Sequence, residues 1–178
     1  MTIEATEAEL VELAKHGDER AFATLAEQHR ARLWSICLRV TGNRADAEDA
    51  LQDALTATWL HLGSFRSEAR FGTWAYRIAA NAALAVVRRR KDIPTDIVEE
   101  LHADSGGDFT RHVIDTDRVN AALATLGVQF REALVLREYG DLSYEQIAAH
   151  QGVGVQTVKS RLNRARAALA QELAGDEG

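Results

Sequence analysis

Cysteine and proline are almost absent: the 178 residues contain one of each, Cys37 and Pro94. A single thiol excludes a disulfide framework within the chain and fits a reducing compartment. Cys37 lies in an apolar helical run and reads as a buried structural thiol rather than a reactive one. No apolar run is long enough to span a bilayer, and residues 1–18 are acidic with no apolar stretch of the kind a secretory leader needs. The six histidines (His16, His29, His61, His102, His112 and His150) form no H-E-x-x-H pattern, and there is neither a cysteine pair nor a Gly-rich phosphate loop. No metal, cofactor or catalytic constellation is therefore expected, and the chain is expected to be cytoplasmic and not an enzyme. With little proline and almost no alternating pattern, the expected fold class is all-α.

The formal net charge of −6 looks wrong for a nucleic-acid binder, but it is unevenly distributed. Between Asp92 and Asp117 eight acids face Arg111 alone, a local −7 that leaves the remainder at +1. Local fields govern contact with DNA, and the cations outside this stretch are clustered. From Arg66 to Lys91 they are Arg66, Arg70, Arg77, Arg88, Arg89, Arg90 and Lys91, with Glu68 the only acid. Phe65, Phe71, Trp74 and Tyr76 are interleaved with them, the composition of a single-strand surface where rings stack on bases and cations follow the backbone. The plainer account makes Phe71 and Trp74 core and lets the last cations complement a helix C-terminus.

Capping patterns and apolar spacing divide the chain. Thr6 and Glu9 form a capping box for a short helix that Gly17 ends. Asp18 caps a long helix through Phe22, Leu25, Leu33, Ile36 and Val40, stopped at Gly42-Asn43. The next helix runs from about Arg44 to Leu62. On it Asp46, Asp49 and Asp53 make an acidic stripe, with Glu48 and Gln52 alongside. Acids in a first turn suit the helix dipole, which leaves Asp53 unexplained, so a partner-docking face and the dipole account stand side by side on chemistry alone. A loop with an exposed-looking Phe65 leads to a helix from Gly72 or Thr73 to Lys91. Ile93 to Thr116 loses periodicity and reads as a flexible acidic linker. Two further helices, Val119 to Leu126 and Phe130 to Tyr139, follow.

The last segment is the most specific. Ser143 and Gln146 form a second capping box, so a helix starts at Tyr144, and Gly152 can close it in the left-handed conformation. Val155, Val158, Leu162, Ala165 and Leu169 then form one face of another helix. Its opposite face carries Gln156, Thr157, Lys159, Ser160, Arg161, Asn163, Arg164 and Arg166, with no acid. Two helices around a tight glycine turn, the second presenting donors and cations, form a helix-turn-helix able to enter a major groove. The competing account is an amphipathic hairpin with a solvated basic face, although such a face usually mixes signs.

Together these segments resemble one family, the bacterial group 4, or extracytoplasmic-function (ECF), sigma factors. Asp18-Glu19-Arg20-Ala21-Phe22 is similar to the opening of its region 2. Ala47-Glu48-Asp49-Ala50-Leu51-Gln52-Asp53 resembles its polymerase-docking motif. Trp74 through Ile78-Ala79-Ala80-Asn81 to Arg88-Arg89-Arg90 resembles its promoter-melting segment. Leu142 to Ala148 and Thr157 to Arg166 resemble its region 4. The chain departs from the usual pattern at Ala85 (commonly Asp), Gly127 (commonly Pro) and Gln151 (commonly Leu).

The resemblance implies region 2 over 1–91, a flexible linker over 92–117, region 4 over 118–174 and a frayed tail over 175–178. It assigns core-polymerase binding, on the beta and beta-prime subunits, to Asp46, Glu48, Asp49, Gln52 and Asp53. Minus-ten DNA falls to Phe65, Arg66, Arg70, Tyr76, Arg77, Asn81, Arg88 and Arg89. Minus-thirty-five DNA falls to Tyr144, Gln156, Thr157, Lys159, Ser160, Arg161, Asn163, Arg164 and Arg166. Implied partners are the polymerase core, promoter DNA of a stress or envelope-type regulon, and a separate anti-sigma factor, with no membrane insertion. A stand-alone helix-turn-helix regulator is the alternative; it would leave the Asp46 to Asp53 stripe without a use.

Overall fold

A computed structural model describes residues 5–91 and 112–175, and the side chains from 116 onward in the second stretch. Eight α-helices and one short 3-10 turn make up the described residues, with no strand among them. In order they are α1 (Glu7–Lys15), α2 (Glu19–Thr41), α3 (Arg44–His61), the 3-10 turn Leu62–Ser64, α4 (Phe71–Lys91), α5 (His112–Thr125), α6 (Val128–Glu138), α7 (Tyr144–Gln151) and α8 (Val155–Gly175).

The helix ends follow from side chains that satisfy otherwise orphaned backbone groups. Thr6 accepts from the Glu9 amide while the Glu9 carboxylate accepts the Thr6 amide, a closed capping box. Asp18 accepts from the amides of Arg20 and Ala21. Asn43 caps α3 through the Asp46 amide at 2.9 Å. Between α2 and α3 the chain reverses at Gly42, where φ is +83°, a conformation that is costly for any residue with a Cβ.

Helices α2, α3 and α4 form a bundle, with α1 lying against α2. Its interior is unusually rich in small side chains: Ala47, Ala50 and Ala54 on α3, and Ala75, Ala79, Ala80 and Ala83 on α4, all buried. Small side chains let helix axes approach closely. The larger volume comes from α2 through Leu25, Leu33, Ile36 and Val40. Cys37 is fully buried there, its Sγ 4.0 Å from the Ala79 carbonyl, and burial pushes the thiol pKa up to about 12.

Helices α5 to α8 build the second unit around Leu123, Leu136, Leu142, Ile147, Val158 and Leu162. The two units pack together, α2 against α5 and α6, and α4 against α6. The Arg39 guanidinium lies 3.9 Å from the centre of the Tyr139 ring. Arg32 Nη1 donates to Asp141 Oδ2 at 2.6 Å, and Asp141 itself has a φ of +53°. A Cβ on Gly42 would sit 3.8 Å from that of Ala124.

Several boundaries differ from expectation. Helix α4 begins at Phe71, ahead of Gly72 and Thr73, and α6 begins at Val128 rather than Phe130. Helix α5 begins at His112, so the end of the stretch expected to be linker is helical. The acid excess and lost periodicity before Asp117 concealed that start. Residues 92–111 of the expected linker, and 176–178 of the expected frayed tail, lie outside the described residues. Gly175 is the last residue of α8.

Candidate nucleic-acid interface

Three surfaces carry the residues singled out by the sequence. The first is the acidic stripe of α3. Asp49, Gln52, Asp53 and Glu48 are exposed and Asp46 is half-buried. Their partners differ. Asp46 Oδ2 accepts from Arg90 at 2.8 Å and from the Asn43 amide nitrogen at 2.6 Å. Asp53 pairs with Arg89 at 3.1 Å, and Glu48 with Arg44 at 3.0 Å. Asp49 has no ion pair among the described residues. A groove beside the stripe is lined by Arg30, Trp34, Arg44, Leu51 and Leu55. The stripe is therefore half neutralised by the C-terminal cations of α4, which the sequence pattern did not reveal.

The second surface is on α4 and the loop before it. Arg66, Arg70, Asn81, Arg88 and Arg89 are exposed, and Arg77 is half-exposed. Arg77, Asn81 and Arg88 are spaced to share one helical face with Ala85 between them. Phe65 and Tyr76 are not on this surface. Phe65, expected to be exposed, is only 6% accessible and packs against Phe71 and Trp74, whose ring centres are 6.0 and 5.0 Å away. Tyr76 is 5% accessible, and its hydroxyl lies 2.8 Å from His29 Nδ1. Burial raises the Tyr76 phenol above its ordinary pKa, and Arg32 beside it works in the opposite direction. Both rings are taken up by an aromatic cluster that includes His29, Phe71 and Trp74, with no face left to stack on a base. The plainer account of Phe71 and Trp74 as core residues thus extends to Phe65 and Tyr76.

The third surface is the helix-turn-helix. Ser143 Oγ accepts from the Gln146 amide at 3.1 Å, and Gln146 Oε1 accepts from the Ser143 amide at 2.8 Å. Gly152 ends α7 at φ +65°, the left-handed turn that redirects the chain into α8. Val158, Leu162 and Ala165 are buried and clamp α8 to the core. Gln156, Thr157, Lys159, Ser160, Asn163, Arg164 and Arg166 are exposed. Arg166 Nη2 donates to Glu138 at 2.8 Å, which raises its pKa further. Tyr144 is half-buried under the guanidinium of Arg137, 5.1 Å from its ring centre.

Arg161 behaves differently from its neighbours. It is half-buried, and its Nη1 donates to Gln151 Oε1 at 2.8 Å. Gln151 Nε2 in turn donates to Glu132 Oε2 at 2.8 Å and to the Gln129 carbonyl at 3.0 Å. His150 Nε2 lies 2.7 Å from Glu132 Oε1, with both side chains nearly inaccessible. His150 is thus a satisfied helix-end histidine. Among the described residues no group of three or more His, Cys, Asp or Glu side chains is arranged to hold a metal, and no helix is long and apolar enough to cross a membrane.

The family description Sigma-70 region 2 matches residues 25–93, and Sigma-70, region 4 matches residues 116–169. The chain is 32% identical to the RNA polymerase sigma-H factor of Pseudomonas aeruginosa, over 97% of this chain and 96% of that one. It is 37% identical to the ECF RNA polymerase sigma factor SigM of Mycobacterium tuberculosis, over 96% and 86% respectively. To the ECF RNA polymerase sigma-E factor of Escherichia coli it is 33% identical, over 95% of each. Among solved structures it is similar to CnrH in complex with the cytosolic domain of CnrY (TM-score 0.69, 28% identity, 94% of this chain and 96% of that one). It is also similar to the Bartonella quintana sigma factor RpoE in complex with the anti-sigma factor NepR (TM-score 0.68, 26% identity, 86% and 96%).

Proposed function

The chain belongs to the sigma-70 family of RNA polymerase sigma factors, in its ECF group, and from that premise we propose how its surfaces divide the work of promoter recognition. Helix α3 docks on the polymerase core through Asp49, Asp53, Gln52, Glu48 and Asp46. The exposed face of α4, with Arg77, Asn81 and Arg88, together with Arg66, Arg70 and Arg89, binds the minus-ten element as its strands separate. Extruding a base costs a few kcal/mol in unstacking, offset by contacts in a pocket. Phe65 and Tyr76 contribute by holding that surface in shape from beneath. Helix α8 enters the major groove of the minus-thirty-five element through Gln156, Thr157, Lys159, Ser160, Asn163 and Arg164, with Arg161, Arg166 and Tyr144 at its edge.

The observation that carries this reading is the presence, on one chain, of an acidic docking stripe and two separate basic faces in family order. Each DNA contact alone is weak, and a shared polymerase scaffold turns the second into an effectively intramolecular event. The chain supplies binding and positioning rather than chemistry, and it works in the cytoplasm. A separate anti-sigma protein holds it inactive.

The packed arrangement has to open on the promoter. By their names the two elements are roughly 25 base pairs apart, about 85 Å of B-form duplex. A compact chain of this length is only about 40 Å across. Engaging both elements therefore breaks the Arg39–Tyr139 and Arg32–Asp141 contacts.

Run-off transcription with purified core polymerase on fragments of the native genome tests the proposal. Specific start sites that require the protein are expected. A protein that shifts duplex DNA without core, and gives no transcript with it, would instead be a stand-alone regulator.

A further inference from the structure

Gln151 occupies an unusual place between the two helices of the helix-turn-helix and the helix beneath them. It is the last residue of α7, and each polar atom of its carboxamide is used. The orientation of that amide follows from its partners: Glu132 and the Gln129 carbonyl can only accept, so Nε2 must face them, and Arg161 can only donate, so Oε1 must face it. Glu132 is nearly inaccessible and is held from its other oxygen by His150. The result is a chain of contacts from the buried floor of α6, through the end of α7, to one nitrogen of a guanidinium on α8.

A guanidinium is a rigid planar fork with five donors, so tethering Nη1 narrows the directions open to the rest. Arg161 is half-buried rather than enclosed, and among the described residues Nη1 is its one nitrogen with a hydrogen bond, which leaves the other donors unused. Lys159 and Arg164 on the same helix are exposed cations with no such anchor among the described residues. Long side chains of that kind suit phosphate contacts, which need charge more than direction. Direction is what a bidentate base contact needs.

We propose that Gln151 is a positioning residue that aims the Arg161 guanidinium at one base pair of the upstream promoter element, and so sets base preference there. This rests on the reading of α8 as the minus-thirty-five reader. A hydrogen-bonded strut that merely steadied the turn would affect stability and leave base preference alone, and that difference makes the proposal testable.

The experiment uses the full chain assembled with core polymerase, transcribing a library with a fixed minus-ten element and randomised bases upstream. Wild type, Gln151→Leu, Gln151→Met and Arg161→Ala are compared by sequencing the transcribed templates, with thermal unfolding of each free chain recorded alongside. Wild type is expected to favour one base at one upstream position by about tenfold or more. Arg161→Ala erases that preference. Gln151→Leu and Gln151→Met reduce it to about twofold or less while other positions keep theirs, and Gln151→Leu adds nothing further on an Arg161→Ala background. The two Gln151 variants guard against a folding defect in either one. The proposal is overturned if Arg161→Ala alters unfolding but no base preference, or if both Gln151 variants keep the wild-type profile. Transcription by wild type with no upstream preference at all would instead overturn the underlying reading of α8.

Discussion

Arg39 and Tyr139, one hundred positions apart, meet face-on, the guanidinium of one 3.9 Å from the ring centre of the other. Among the described residues Arg39 Nε is buried without a hydrogen-bond partner, so the aromatic face is the chief compensation there for burying that end of the guanidinium. The contact joins α2 of the first unit to the end of α6 in the second.

Removing the contact should loosen the packed form. Tyr139→Ala combined with Asp141→Arg deletes the ring and replaces the Arg32 ion pair with a repulsion. The free protein's radius of gyration, measured by small-angle X-ray scattering, should rise. An unchanged radius would mean that the apolar contacts of α2 with α5 and α6 suffice to hold the units together.

Asp49→Arg should abolish co-purification with polymerase core at little cost to the fold. The side chain is exposed and unpaired among the described residues, and substitutions of that type usually stay within about ±0.5 kcal/mol. Asp53→Arg should also abolish core binding. Asp46→Arg is a poorer probe, because it also removes the partner of Asn43 and Arg90. Retained core binding by Asp49→Arg would move the docking surface elsewhere.

Leu162→Ala empties a fully buried position between α8 and the floor of its unit, and large-to-small changes of this kind cost about 2–5 kcal/mol. Ser143→Ala removes the α7 cap for about 0.5–2 kcal/mol. Chemical denaturation should rank the two in that order. The reverse ranking would mean that the core around Leu162 relaxes to fill the space.

Cys37 should be silent to thiol reagents at pH 8 in the native protein and titrate as one thiol once unfolded. Burial holds the folded thiol's pKa at about 12, above its ordinary value of about 8.5. The unfolded chain therefore loses this proton first. The thiol's contribution to stability is complete below about pH 8.5 and is lost as pH rises toward 12. Denaturation midpoints of wild type and Cys37→Ala should converge across that alkaline window. Parallel midpoints would show that the thiol is not shielded.

Much of this architecture was legible because it is local. The capping boxes at Thr6 and Ser143, the Asp18 cap, the turns at Gly42 and Gly152, and the two faces of α8 all depend on residues within one or two helical turns of each other. What escaped was long-range. Phe65 looked exposed because its loop is polar on both sides, and nothing nearby reveals that Phe71 and Trp74 fold over it. Tyr76 is claimed by His29, forty-seven positions earlier. The acidic stripe was identified from its spacing, whereas its neutralisation by Arg89 and Arg90 depends on how α4 packs against α3. In the sequence Gln151 is only a departure from the family pattern; its place as a bridge depends on Glu132, Gln129 and Arg161 folding around it.

The ion pairs Arg89–Asp53 and Arg90–Asp46 carry a thermodynamic consequence. Each joins a carboxylate proposed to dock on polymerase with a cation at the C-terminal end of α4, where Arg89 is also proposed to contact DNA and Arg90 adjoins it. A ligand that takes the carboxylates frees the guanidiniums, and a polyanion that takes the guanidiniums frees the carboxylates. By reciprocity of linkage, each event then lowers the cost of the other by the same amount. For exposed pairs that amount is about 0.2–1 kcal/mol each, and it fades with added salt. Under the proposed division of surfaces, the α3–α4 seam would give polymerase and promoter a small mutual preference for arriving together, independent of any contact between them.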